Sequence, residues 1–367
     1  MKRMLKKIFF SGLFLAMACF AGCKEEPGKK ERKEEIGQNV TICESNYCIG
    51  EDGVLVLENG GLVAFYDYQI EEYLPFCSKP NCKHQTEECG AVALAAGTDW
   101  IGYHKGAVYY CDSRSGTKLY TADLDGENVK QLGTYDHQMS WGKKIFYDGH
   151  VYLVTNNNRF EEDGSYQGVQ TELLEIDLEN GEARTLIEAR EYTRPGYDLL
   201  GIFEGKLYYV DRIDSNCLME LNLQTGETEK LKKDVYNAKL EKGNLVYCVA
   251  ENQGMSVYER GLAERSEQFL SKGTAYIDIW DDRTKIVSFD DEERSGFYQW
   301  KEDDFYYISP FKNENEFLIL TRYGEYFLGM YRQKFSRVLV SDYLDGEFEP
   351  ERLEITEYLK ARETLFA

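Results

Sequence analysis

The sequence predicts an all-β chain closed into a β-propeller, most simply of seven blades, with six or eight also open. Three observations carry this reading. A strand-and-turn unit recurs along the chain. Its spacing matches the roughly 40–50 residues of a propeller blade. The composition suits ordered strands and turns, with 6 Pro against 32 Gly and 28 Tyr in 367 residues. With 43% apolar and 14% aromatic residues there is ample material for a core, which excludes wholesale disorder and a fold held by disulfides alone. The balance of 43 Lys and Arg against 65 Asp and Glu gives a net charge of −22. Nucleic acid is therefore not an expected partner, because phosphate affinity comes mainly from a basic face.

The first element is an export signal at residues 1–22. Lys2, Arg3, Lys6 and Lys7 precede an apolar to weakly polar run, Ile8 to Phe20, that is too short to span a bilayer comfortably as a helix. It ends in Phe20-Ala21-Gly22-Cys23. This segment resembles a bacterial lipoprotein signal, in which small residues precede the Cys that receives the lipid, although Phe20 stands where Leu is usual. The resemblance makes Cys23 the lipidation site and the cell membrane, facing outside the cytoplasm, the expected location. An ordinary cleaved signal with a coincidental Cys is the alternative. Residues 23–38 follow as the lipidated Cys and a tether of alternating Lys and Glu that cannot bury a core. Loss of the signal's four cations leaves the remainder still more acidic, so attachment falls to acyl chains rather than to anionic headgroups.

Residues 39–367 form the propeller domain. Leu119-Tyr120-Thr121-Ala122-Asp123-Leu124-Asp125-Gly126-Glu127 is matched by Leu173 to Glu182 and by Leu218 to Glu227. Each copy reads as a strand, a tight turn and a second strand. Leu339 to Glu347 reads as a fourth copy. Upstream of the hairpins stand Gly106-Ala107-Val108-Tyr109-Tyr110, Gly149-His150-Val151-Tyr152-Leu153, Gly205-Lys206-Leu207-Tyr208-Tyr209 and Gly243-Asn244-Leu245-Val246-Tyr247. Degenerate turns fall near Tyr66 to Ile70, Arg260 to Glu264 and Trp300 to Asp304, which brings the units to seven. The Tyr excess reads as blade packing, with Tyr109-Tyr110, Tyr208-Tyr209 and Tyr306-Tyr307 each expected to turn one ring inward. The Leu119 to Gly126 pattern resembles the TolB-like propellers of exported bacterial proteins. A pair of β-sandwiches is the competing fold, but it needs no such period.

Cys77, Cys82, His84 and Cys89 lie within thirteen residues, with Cys43 and Cys48 just upstream. Thiolate and imidazole are the ligands zinc prefers, so the segment could hold a structural zinc ion. Its spacing matches neither a zinc ribbon nor a c-type haem site. In an exported chain, thiols oxidise and persist as disulfides, and stapling of a long loop is the favoured expectation. The segment also resembles one in gut Firmicutes lipoproteins, a likeness that carries no activity. Cys111, Cys217 and Cys248 lie beside strand signatures and read as small buried hydrophobes.

Enzyme signatures are scarce. G-x-S-x-G, P-loop and H-E-x-x-H patterns are absent from the sequence, and so many carboxylates are present that a two-acid glycosidase match means little. His104, His137 and His150 read as surface or packing residues. The longest insertion, with Arg159, Phe160 and Tyr166, forms the candidate ligand loop together with Arg194 and Tyr197. The expected role is a lipid-anchored binding or interaction module for a protein, peptide or glycan. A carbohydrate-active hydrolase or lyase and a structural subunit of an envelope complex are the alternatives.

Overall fold

The computed structural model describes residues 40–355, apart from 45, 59–60, 78, 80–81, 87–88, 92–99, 113–116, 124–125, 137–138, 140–141, 193–195, 252–253, 292–293, 311–316 and 347–348. Cys23, the signal and the tether lie outside the described residues, as do His137 and Arg194.

The chain opens with β1 (Thr41–Cys43), β2 (Tyr47–Ile49), β3 (Gly53–Glu58), β4 (Leu62–Asp67) and β5 (Glu72–Pro75). A four-stranded antiparallel sheet follows, made of β6 (Trp100–His104), β7 (Ala107–Asp112), β8 (Thr117–Asp123) and β9 (Lys130–Tyr135). Next come β10 (Lys144–Tyr147), β11 (His150–Phe160), β12 (Tyr166–Asp177) and β13 (Ala183–Tyr192). These do not form a sheet of their own. They join the first five strands in a nine-stranded sheet of order β13-β12-β11-β10-β1-β2-β3-β4-β5. The bridge is β1, which pairs with β10 on one side and with β2 on the other.

The remainder is regular. β14 (Tyr197–Phe203), β15 (Lys206–Asp211), β16 (Cys217–Asn222) and β17 (Thr228–Lys232) form one four-stranded sheet, and β18 (Val235–Glu241) opens the next, over 235–272. Two more cover 275–309 and 317–352.

Apolar side chains between successive sheets make the core. Leu200, Tyr208 and Val210 meet Ala238, Leu240 and Tyr247, and Val246 and Val257 meet Trp280 and Phe289. The circuit then returns to its start, because Leu320, Leu328 and Phe335 of the last sheet pack on Val54, Val56, Tyr66 and Tyr73. Tyr68 and Tyr323 stack there with centroids 4.4 Å apart and planes 7° from parallel. The fold is a β-propeller. Five discrete four-stranded sheets are separate among the described residues, rather than seven, since the nine-stranded sheet unites what the repeat count divides.

The repeat turns have a common mechanism. Asp177 Oδ1 accepts the amides of Glu179 and Asn180 at 2.7 and 3.2 Å, and Asn222 Oδ1 accepts those of Gln224 and Thr225, both at 3.0 Å. A short acceptor side chain at that position therefore shapes the turn that the sequence marks. At the upstream hairpins, Asp148 and Gly149 take φ of 48° and 78°, the pair of positive values that a type I′ turn requires.

Two sequence expectations change. Leu339 to Glu347 is not a fourth hairpin copy, because Val340–Leu344 is a single turn of helix. Val340 and Tyr343 are both buried against the core, a spacing of three that a helix satisfies and a strand does not. Nor do the Tyr pairs each split inward and outward. Tyr208 and Tyr209 are both 2% exposed because their strand has a sheet on either face, whereas Tyr306 and Tyr307 are 48% and 55% exposed on the last strand of theirs. Cys111, Cys217 and Cys248 are fully buried, as expected of small hydrophobes.

Candidate metal centre and ligand pocket

The segment after β5 is short of apolar residues, and local turns give it shape. The Phe76 amide donates to Val63 O at 2.9 Å, which keeps the chain beside β4 as it leaves the sheet. Cys82 N donates to Lys79 O at 3.3 Å and Cys89 N to Thr86 O at 3.0 Å. His84 takes φ of +51°, a left-handed conformation to which His is better suited than most residues. Its amide then donates back to the Cys82 sulfur, and its Nδ1 lies 3.2 Å from Cys89 Sγ.

These turns gather one donor atom each from Cys77, Cys82, His84 and Cys89, all within 4.8 Å of one another. Cys77 and Cys89 are 1% exposed and belong to the hydrophobic cluster with Phe76, Ala91 and Trp100. Cys82 and His84 are half-buried on the outer side. The Cys82 thiol is held below its ordinary value, chiefly by the His84 amide and against the opposing effect of burial, with Cys89, Cys77 and the Lys79 charge assisting.

None of these three cysteines is disulfide-bonded. The disulfide instead joins Cys43 and Cys48, opposed residues of the β1–β2 pair, and so closes a short hairpin rather than stapling the long loop that the sequence led us to expect. The six candidates thus divide into one disulfide and one four-donor cluster. Geometry separates them, because Cys43 and Cys48 face each other across a ladder while the other four meet through loop turns.

The ligand-loop candidates divide as well. Arg159, Phe160 and Tyr166 lie where β11 and β12 run out beyond the neighbouring hairpins. Phe160 and Tyr166 are 60% and 52% exposed and meet edge to face at 5.9 Å, and Arg159 pairs with Glu191. Tyr197 is elsewhere. It is buried at the start of β14, where burial pushes its hydroxyl up in pKa, the Arg190 charge opposes that and Asp211 adds to it.

Tyr197 lines a cavity of about 280 Å³ where β10, β14 and β18 begin, together with Glu44, Lys143, Asn156, Asp198 and Arg212. Arg212 is committed to the framework, pairing with Asp198 at 2.6 Å and donating to Val235 O at 3.0 Å. Lys143 is not. Burial lowers its pKa, Glu44 and Asp198 oppose that, and Lys239 adds to it. Its ammonium forms no ion pair among the described residues. Sequence reasoning missed Lys143, Asp198 and Arg212, and no local pattern announces them, because the cavity is assembled from six separated stretches of chain. Burial drives the pKa of the Asp67 carboxyl upward. It caps a turn by accepting the Gln69 and Ile70 amides and does not line the cavity.

No protein-family profile matches the chain, and no curated protein sequence does. Solved structures do. A puromycin-hydrolysing peptidase of Mycobacterium tuberculosis is similar at TM-score 0.55 and 13% identity, over 86% of this chain and 54% of that one. The chain therefore spans about half the length of that peptidase. An oligogalacturonate lyase in complex with manganese is similar at TM-score 0.47 and 10% identity, covering 86% and 91%. TolB from Acinetobacter baumannii is similar at TM-score 0.35 and 13% identity, covering 88% and 82%. At 13% identity the likeness to the peptidase extends to the fold alone.

Proposed function

We propose that the chain is a propeller-based binding module, tethered to the outer face of a membrane by a lipid on Cys23, and that it takes its ligand at the cavity where β10, β14 and β18 begin. The observation that carries the binding role is Lys143. It lines the cavity with Glu44, Asp198 and Asn156 and forms no ion pair among the described residues, which leaves an ammonium to meet a polar ligand bearing an acidic group. We read the ring as seven blades, counting β2–β5 and β10–β13 separately with β1 as the bridge. The tether reading rests on the sequence, while no helix among the described residues is long and apolar enough to cross a membrane.

Affinity capture from envelope extracts, with peptide and glycan arrays beside it, tests the binding role. Lys143→Ala should keep the unfolding midpoint and lose a ligand that the parent chain retains. Equal retention by both would place binding elsewhere. Metabolic labelling with an alkyne fatty acid tests the anchor, since Cys23→Ser should abolish incorporation. A surface hydrolase or lyase is a second reading, because Glu44 and Asp198 both line the cavity. Release of reducing ends from polysaccharide by the parent chain but not by Asp198→Asn would select it.

A further inference from the structure

We propose that Cys77, Cys82, His84 and Cys89 ligate one structural zinc ion that fastens the segment after β5 to the propeller core. Donor chemistry comes first. Three sulfurs and an imidazole nitrogen make a soft set that favours zinc over calcium or magnesium, which take oxygen ligands. Geometry agrees. A tetrahedron with Zn–S of about 2.3 Å has edges of about 3.8 Å, and the four donor atoms already lie within 4.8 Å of one another. His84 presents Nδ1 toward Cys89 Sγ, so Nδ1 is the ligand atom and Nε2 keeps the proton. Four protein donors complete the shell and leave no position for substrate, which makes the role structural.

Placement shows what the ion would accomplish. Cys77 and Cys89 are set in the hydrophobic cluster beneath the segment, whereas Cys82 and His84 belong to its outer turn. Between them Lys79, Lys83, Gln85 and Thr86 are all exposed, so this stretch has almost no apolar surface with which to hold itself down. A metal joining the inner pair to the outer pair supplies that attachment, and its binding energy becomes local folding energy. Three thiolates around a dication leave one net negative charge, which Lys79 and Lys83 offset. Three thiols also cannot all pair among themselves, so an oxidised segment would leave one over.

The full chain, purified in detergent without chelator, should carry about one zinc per molecule by elemental mass spectrometry. Exchange into cobalt should produce the visible bands of a tetrahedral ion and sulfur-to-cobalt charge transfer. Cys82→Ser and His84→Ala alter the outer turn and leave the core cysteines in place. Each should weaken zinc retention against a competing chelator by at least about tenfold, with the global unfolding transition kept. Chelator should also accelerate tryptic cleavage after Lys83 in the parent chain. A metal-free chain in which mass spectrometry finds a disulfide among Cys77, Cys82 and Cys89 would overturn the proposal. So would zinc held by either variant as tightly as by the parent chain.

Discussion

The His104 imidazole stacks on the Phe146 ring, with centroids 5.5 Å apart and planes 23° from parallel, and so joins the β6–β9 sheet to the nine-stranded one. Thr41 Oγ1 lies 3.1 Å from its Nδ1. Burial in this contact, with a smaller contribution from Lys105, drives its pKa down from 6.5 to about 4.

That depression makes an acid-sensitive joint. The unfolded chain takes up a proton that the folded joint refuses, so the stabilisation from a neutral His104 is complete above about pH 6.5 and fades as pH falls toward 4, by up to about 3 kcal/mol. Urea unfolding at pH 7 and pH 4.5 should show His104→Gln losing less stability on acidification than the parent chain. Equal losses would dissociate His104 from the acid response.

Glu259 is buried and accepts three hydrogen bonds, from Trp280 Nε1 at 2.7 Å, Lys285 Nζ at 2.9 Å and Gln268 Nε2 at 2.7 Å. Burial raises its pKa, but these donors outweigh it and hold the carboxyl below its ordinary value. Its contribution is therefore present above the ordinary Glu range and is lost as pH falls below it. Glu259→Leu should cost about 3 kcal/mol, because it orphans a buried indole N–H and an ammonium. Glu259→Gln, which can still accept, should cost less. Chemical denaturation of the pair measures the difference.

Gly102 is a spacing residue. A Cβ there would lie 2.7 Å from the Phe146 ring and 3.1 Å from Cys43 Sγ. Gly102→Ala should destabilise by about 1–3 kcal/mol through overpacking. Phe146→Leu in the same chain should return part of that loss, and a simple sum of the two single effects would show the sites to be uncoupled.

The Cys43–Cys48 bridge closes a short loop, with a sequence separation of 5. Chain-entropy arguments give it about 2 kcal/mol. The Cys43→Ser, Cys48→Ser double variant should melt lower by a few degrees per kcal/mol lost, and its zinc content should match that of the parent.

The repeat was legible because each turn needs a short acceptor side chain and a glycine, and Asp177 with Gly181 and Asn222 with Gly226 provide them in the sequence. The Leu339 copy misled for the same reason. It carries Asp345-Gly346, but its apolar residues fall at helical spacing, and packing decided. The Cys and His set was visible as a cluster, yet only the fold shows that Cys43 and Cys48 belong to a different pair. Lys143 and Asp198 left no trace in the sequence, since nothing local links residues that meet only when three sheets close together.

The β1 bridge also sets an order of events. Ile42 lies opposite Ile145, so the earliest strand of the ring waits for a partner that is synthesised only after two further groups of strands. Until β10 arrives, β1 presents an open backbone edge, the kind of surface on which chains join one another. Assembly of this ring is thus committed late, and truncation before residue 147 should yield aggregates rather than a smaller propeller.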